Sequence, residues 1–192
     1  MKFRIAIFAS GSGTNAINLI QYFKNHEKIE VEGIYCNKPN AGIVEKAQDI
    51  NVKIRVFNRD EFNDGGLNRI LLENQVDYIV LAGFLWLIPT HMITCYPNRI
   101  VNIHPALLPS YGGKGMYGSR VHEAVIEASE KVSGITIHLV DANYDSGEFL
   151  FQAETEILKD DTPDSLAGRI HRLEHENFPK VVEDLILKGS KY

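Results

Sequence analysis

Asn102 and His104 stand two apart in the run Ile-Val-Asn-Ile-His at 100–104. On a strand they project from one face, and Pro105 ends the strand immediately after them. An asparagine amide can donate to a developing oxyanion, and a histidine can move protons near neutral pH. Asp145, in the loop-forming stretch DANYDSG at 141–147, is a carboxylate able to orient or charge such a histidine. A different chemistry is suggested near the N-terminus. The stretch SGSGTNA at 10–16 lies between an apolar run and a helical pattern, where free N–H groups and the helix dipole favour an anion, above all a phosphate. The competing reading is a tight turn whose glycines serve only sterics.

Other residues admit alternatives. Gly11, Gly13 and Ala16 fit the GxGxxG/A pattern of dinucleotide sites, which needs an acid about 20 residues further on, at the end of the second strand. That end reads Cys36, Asn37, Lys38, so a phosphomonoester is preferred to NAD, with NADP beside Lys38 the weaker alternative. His171, Glu174 and His175 match the HxxEH zinc pattern, but nothing in the pattern supplies a third ligand, and metal is disfavoured. An exposed polar helix face is the simpler account of those residues. Trp86 is able to stack on an aromatic ligand or to sit in a core. No GxSxG elbow and no P-loop lysine signature are present, which excludes those hydrolase and NTPase readings.

The elements that must position these residues alternate along the first half. Runs rich in Ile, Val and Phe at 3–9, 31–36, 52–57, 78–82 and 100–104 read as strands. Helical patterns fall at 15–24, 43–50, 61–74 and 89–95. Such βαβ alternation implies a mainly parallel sheet buried on both faces. Later, residues 133–140 and 148–157 read as two strands placed to pair antiparallel. Thr162, Pro163 and Asp164 then supply an N-cap, a first-position proline and an early acid, with Leu166, Ile170 and Leu173 on one face. Pro179 is expected to break or kink that helix near Asn177, leaving 181–187 as a last piece closed by Gly189.

Composition sets outer limits. The chain has 192 residues, 44% of them hydrophobic and 23% charged, enough for one core without disulfide staples. The 20 Lys and Arg against 25 Asp and Glu leave a net charge of −5, with no basic stripe, so nucleic acid is not an expected partner. Cys36 and Cys95 are expected to be buried thiols in a reducing compartment. The longest uncharged apolar stretch, 78–88, is too short for the roughly 20 residues of a membrane span. The apolar run 5–9 is shorter than the core of a signal peptide. A cytoplasmic protein, independent of membranes, is expected.

Five stretches together carry a resemblance: SGSGTN at 10–15, LAGFLWLI at 81–88, NIHPALLP at 102–109, SGITIH at 133–138 and DSGEFLFQ at 145–152. The chain resembles the folate-dependent glycinamide ribonucleotide formyltransferases of purine synthesis over nearly its whole length. Methionyl-tRNA formyltransferases look similar around NIHPALLP but add a C-terminal domain, for which no room is expected here. The resemblance implies an α/β fold, a three-layer Rossmann-like, mainly parallel sheet with an antiparallel C-terminal part. It implies a single domain over 1–192, with a phosphate-binding half at 1–100 and a catalytic and folate-binding half at 101–192. It also implies formyl transfer from 10-formyltetrahydrofolate, as co-substrate and without a metal, to the amine of glycinamide ribonucleotide through a tetrahedral intermediate. The alternatives are another formyl-folate transferase or a formyl-folate hydrolase. A binding module for NADP or another nucleotide is a third class.

Residue by residue, the resemblance implies catalysis by Asn102, His104 and Asp145, with Asp145 raising the pKa of His104 so that it is protonated. It implies ribonucleotide binding by Gly13, Thr14, Asn15 and Glu174. It implies folate binding by Arg59, Leu85, Trp86, Leu87, Ile88, Asn102, Val140 and Asp141. Trp86 stands where many members have a basic residue, and YGGKGMYGSRV at 111–121 is a longer glycine-rich loop than in some, expected to act as a mobile flap. Small-molecule substrates and a monomer or homodimer complete the expectation.

Overall fold

A computed structural model describes residues 2–189. Among the described residues the chain order is β1 (Phe3–Ala9), α1 (Thr14–Phe23), β2 (Ile29–Cys36), α2 (Gly42–Asp49), β3 (Ile54–Val56), α3 (Arg59–Asn63), α4 (Gly66–Glu73) and β4 (Tyr78–Leu81). There follow α5 (Thr90–Cys95), β5 (Ile100–His104), α6 (Ser119–Glu127), β6 (Val132–Leu139), β7 (Phe149–Glu156) and α7 (Pro163–Lys188). The strands form one seven-stranded sheet in the order β3-β2-β1-β4-β5-β6-β7. Pairings from β3 through β5 are parallel, and β5–β6 and β6–β7 are antiparallel. The mixed sheet expected from the sequence is the one observed.

Strand alternation divides the core into two layers. Ile5, Ile7 and Ala9 of β1 pack with residues of α1, α2, α6 and α7 on one face. Ala6 and Phe8 pack with residues of α3, α4 and α5 on the other. Between β1 and β4 the strand order reverses, and in parallel sheets the crevice at the carboxyl ends of such strands is where ligands bind. The loops after β1, β4 and β5 all open there. No described helix is long and apolar enough to cross a membrane.

Several local expectations are corrected. The helical pattern at 61–74 forms two helices, because Gly65 turns the chain with φ 85° and Asp64 Oδ1 accepts from the Gly66 N–H at 2.7 Å. The first of these is closed by a capping box of Asn58 and Glu61. The strand expected at 52–57 shortens to Ile54–Val56. Helix α6, hidden behind a run of glycines, takes up residues 119–121 of the expected flap. Cys36 is buried, but Cys95, at the last position of α5, is exposed; Met92, three residues earlier, takes the buried face.

The largest correction concerns Pro179, which lies inside an unbroken α7. A proline in a helix interior costs about 3 kcal/mol and leaves the carbonyl four residues back without its donor. That carbonyl is His175 O, and it accepts from Asn18 Nδ2 of α1 at 2.9 Å. Leu166, Ile170, Phe178, Val182, Leu185 and Ile186 are all buried on α7, each worth about 1.5–3 kcal/mol. Packing therefore outweighs the proline. At its start α7 follows the sequence reading: Thr162 Oγ1 accepts from Ser165 N at 3.2 Å, with Pro163 first in the helix.

Candidate active site

The turn after β1 is held open for a ligand by its neighbours. Ser10 N donates to Gly83 O at 3.1 Å, and Ser10 Oγ accepts from Leu85 N at 3.0 Å, which ties the loop after β1 to the loop after β4. Gly13 caps α1 with φ 73°, and a Cβ there would lie 2.3–2.7 Å from Ile43 side-chain atoms, so the position accepts only glycine. No side chain caps α1 and no acid stands in its first turn. The N–H groups of that turn therefore have no capping side chain, an arrangement that suits an anion.

Across from this turn lies α7. Asn15 Nδ2 donates to Glu174 Oε2 at 2.8 Å, while Asn15 Oδ1 is buried without a partner. Burial pushes the Glu174 carboxyl above its ordinary range, against the lowering effects of the Asn15 amide and the His171 ring. Of the HxxEH residues, Glu174 faces Asn15 and His171 joins it in the cavity wall. Among the described residues no cluster of His, Cys, Asp and Glu has metal-ligand geometry.

The strand-end groups meet as their spacing suggests. Register pairs Asn102 with His138 and His104 with Thr136 across β5 and β6. His104 Nε2 lies 2.8 Å from Tyr111 O, an acceptor only, so Nε2 carries the proton and donates. His104 Nδ1 is then 3.6 Å from Asp145 Oδ2. Asp145, at φ 53°, accepts from Gly113 N at 2.9 Å and lies 3.5 Å from Asn102 Nδ2. Burial pushes the Asp145 carboxyl up, but the His138 ring, the His104 ring and the Gly113 N–H outweigh it and hold the carboxyl below its usual range.

For His104 the balance runs the other way. Burial lowers its pKa below 6.5, although Asp145 and the Tyr111 carbonyl both pull upward. Asp145 pulls in the expected direction, toward a protonated His104, and loss of solvent pulls the other way.

His138 belongs to this group and was missed by the sequence reading. Its Nδ1 lies 2.8 Å from Leu139 O and so bears the proton, which leaves Nε2 to accept from Asn102 Nδ2 at 3.0 Å. Its sequence signals were the alternation of Ile135, Ile137 and Leu139 against Thr136 and His138, and its place at the end of SGITIH. Thr136 Oγ1 donates to Ala106 O at 2.7 Å and accepts from Leu108 N at 2.9 Å, and Gln152 Nε2 donates to Thr136 Oγ1 and Leu108 O. Those bonds fix the loop that follows His104.

Two hollows meet at Asn102 and Asp145. The larger, about 540 Å³, runs from the Gly11–Asn15 turn past Glu174 and the loop at 113–118 to His104, a size suited to a small organic ligand. The smaller, about 50 Å³ and room for a water or two, is lined by Trp86, Leu87, Ile88 and Val140. Leu85 faces the larger hollow. Arg59 lines neither; its guanidinium lies 4.0 Å over the Trp86 ring. Asp141 lines neither, and its carboxylate braces its own loop by accepting from Asn143 N and Ser146 Oγ.

The formyl transferase family matches over residues 3–182. A chloroplastic phosphoribosylglycinamide formyltransferase of Arabidopsis thaliana is 38% identical over 93% of this chain and 64% of that protein. For the corresponding Vigna unguiculata protein the match covers 60% of its length, so the chain spans under two thirds of these two plant relatives. The phosphoribosylglycinamide formyltransferase of Bacillus subtilis is 32% identical over 95% of this chain and 94% of its own. The crystal structure of the Bacillus halodurans phosphoribosylglycinamide formyltransferase superposes with a TM-score of 0.87 at 35% identity, covering 97% of each chain. By sequence and by fold, the chain belongs to the formyl transferase family.

Proposed function

We propose that the chain transfers the formyl group of 10-formyltetrahydrofolate to the amine of glycinamide ribonucleotide, giving formylglycinamide ribonucleotide and tetrahydrofolate. The observation that carries this reading is the meeting of two hollows at Asn102 and Asp145, with a phosphate-suited helix start at the far end of the larger. The ribonucleotide phosphate sits on Gly13, Thr14 and Asn15, with Glu174 toward the ribose or glycinamide. The pterin enters by Leu85 and widens the smaller hollow, parting Trp86, Leu87, Ile88 and Val140, with the Asp141 loop beside it and Arg59, over the Trp86 ring, toward the folate tail. Residues 1–100 thus supply the phosphate turn and much of the pterin wall, and 101–192 the chemistry.

The amine nitrogen attacks the formyl carbon, and the carbonyl oxygen becomes an oxyanion. One Asn102 N–H is held by His138, and the other, only loosely engaged 3.5 Å from Asp145, turns to the oxyanion. The proton leaving the amine lodges on His104 Nδ1, beside the Asp145 carboxylate. His104 starts neutral, gains its charge as the oxyanion forms, and returns the proton to the folate nitrogen as the carbon–nitrogen bond to folate breaks. No covalent enzyme adduct is required.

A spectrophotometric assay with purified protein and a 10-formyl folate tests this. Deformylated folate should form only when glycinamide ribonucleotide is present. Equal turnover without the ribonucleotide would replace the reading with a hydrolase, and stabilisation by NADP with no turnover would replace it with a binding module.

A further inference from the structure

His122 is a buried histidine on the wall of the larger hollow that the reaction above does not use. It stands in the first turn of α6, where Val121 and Val125 point into the core at 0% and 1% exposure. Their neighbour is offset around the helix and lines the hollow together with His104, His171 and Glu174. His122 is 4% exposed, and its Nδ1 is fully buried with no hydrogen-bond partner. An unpaired buried nitrogen is costly, and a turn of the ring that brings it to the hollow would let a ligand supply the missing partner.

Its position narrows what that ligand group is. His122 shares the wall of the larger hollow with His104 at its catalytic end and with Glu174, bonded to Asn15, at its phosphate end. A substrate with its phosphate on the α1 turn and its amine at His104 has its sugar in the stretch between. Burial, with the two histidines reinforcing it, keeps the His122 ring below its ordinary pKa against the pull of Glu123. A neutral imidazole offers one donor and one acceptor, the same pair that a hydroxyl offers in return.

We propose that His122 is a substrate-binding residue that hydrogen-bonds a ribose hydroxyl of the ribonucleotide and helps select a ribosylated acceptor. This rests on the proposed reading of the larger hollow as the ribonucleotide site. His122 touches no reacting atom, and its contribution is to ground-state and transition-state binding alike.

Steady-state kinetics of the wild type and of His122→Ala and His122→Asn provide the test. His122→Ala should raise the KM for glycinamide ribonucleotide about tenfold, with kcat and the KM for formyl folate within about twofold, the pattern of lost uniform binding. His122→Asn, which keeps a side-chain donor and acceptor, should recover most of that loss. An unchanged ribonucleotide KM in His122→Ala, or a loss confined to kcat, would overturn the proposal while leaving the transferase reading intact. Absence of turnover by the wild type with the ribonucleotide would remove the ligand and overturn both. Histidine-labelled wild-type protein, titrated with the ribonucleotide alone, covers the case of an unfolded variant. The His122 ring nitrogens should shift on saturation, and unmoved resonances would refute the contact.

Discussion

Burial and charge oppose each other at His104, and the winner decides how the site can work. Loss of solvent lowers its pKa below 6.5, more strongly than Asp145 and the Tyr111 carbonyl raise it. The ring is therefore neutral near pH 7 and takes up charge only when negative charge develops beside it. His104→Ala removes that proton store, and Asp145→Asn removes the carboxylate that stabilises its charged form. Each should lower kcat by about a hundredfold or more while leaving the ribonucleotide KM within a few-fold. Near-native turnover in both would refute the assignment. Glu174 shows a different tension, a carboxyl raised by burial with the Asn15 amide as its side-chain partner. Glu174→Gln keeps an oxygen for Asn15 and removes the buried charge. It should raise Tm near pH 7.5 by about 2–4 °C, the shift that about 1 kcal/mol produces at this length, and raise the KM for the ribonucleotide. A lower Tm would show that the charge at Glu174 is compensated in the folded protein.

Asp145 is only as well placed as the loop that carries it. Gly147 follows two residues later, and a Cβ there would lie 1.8 Å from Leu139 O and 2.8 Å from Leu139 C, on backbone that cannot give way. Gly147→Ala should therefore push the 141–147 loop off β6, lowering Tm and cutting kcat at least tenfold through displacement of Asp145; a tenfold cut is about 1.4 kcal/mol in the barrier. Unchanged kinetics would mean that the loop moves without consequence. In α7, Asn18→Ala removes the donor that replaces the one missing at Pro179. It should lower Tm by about 2–4 °C, a loss on the order of 1 kcal/mol, which a thermal melt would register. These elements also show what was legible from sequence. Apolar runs ending in glycine or proline marked β1, β4 and β5, and the two-residue spacing of Asn102 and His104 put both on one face. His138 was hidden because its partner lies on another strand, and only the β5–β6 register brings it to Asn102. Pro179 misled because the compensating amide comes from α1. Helix α6 stayed hidden behind Gly112, Gly113, Gly115 and Gly118, and with it the placement of His122 in the wall.

Three histidines of lowered pKa, two of them (His104 and His122) on the wall of the larger hollow, set how the stability of the whole molecule responds to acid. Burial lowers the pKa of His104, His122 and His175 below 6.5. Between those folded values and 6.5 the unfolded chain binds more protons, so the stability they contribute is complete above about pH 6.5 and is lost as pH falls. Glu174 has the opposite sign. Its folded pKa lies above 4.5, so the folded state gains relative stability as pH falls through that raised value. The lowered carboxyls Asp145, Asp161, Glu61 and Glu183 act only below about pH 4.5. A window from pH 7.5 to 5 therefore reads the three histidines against Glu174, and Glu174→Gln removes the opposing group. In that variant Tm should fall steadily from pH 7.5 to 5, by more than about 2 °C, the shift expected from roughly 1 kcal/mol. The wild type should fall less over the same range. Equal slopes would show that Glu174 is ionised in the folded protein throughout, and a flat profile in the variant would show that the histidines accept protons without cost. In the latter case His104 would keep an ordinary pKa of about 6.5, and the minor part of the enzyme already charged near pH 7 would draw its proton from solvent instead of from the attacking amine.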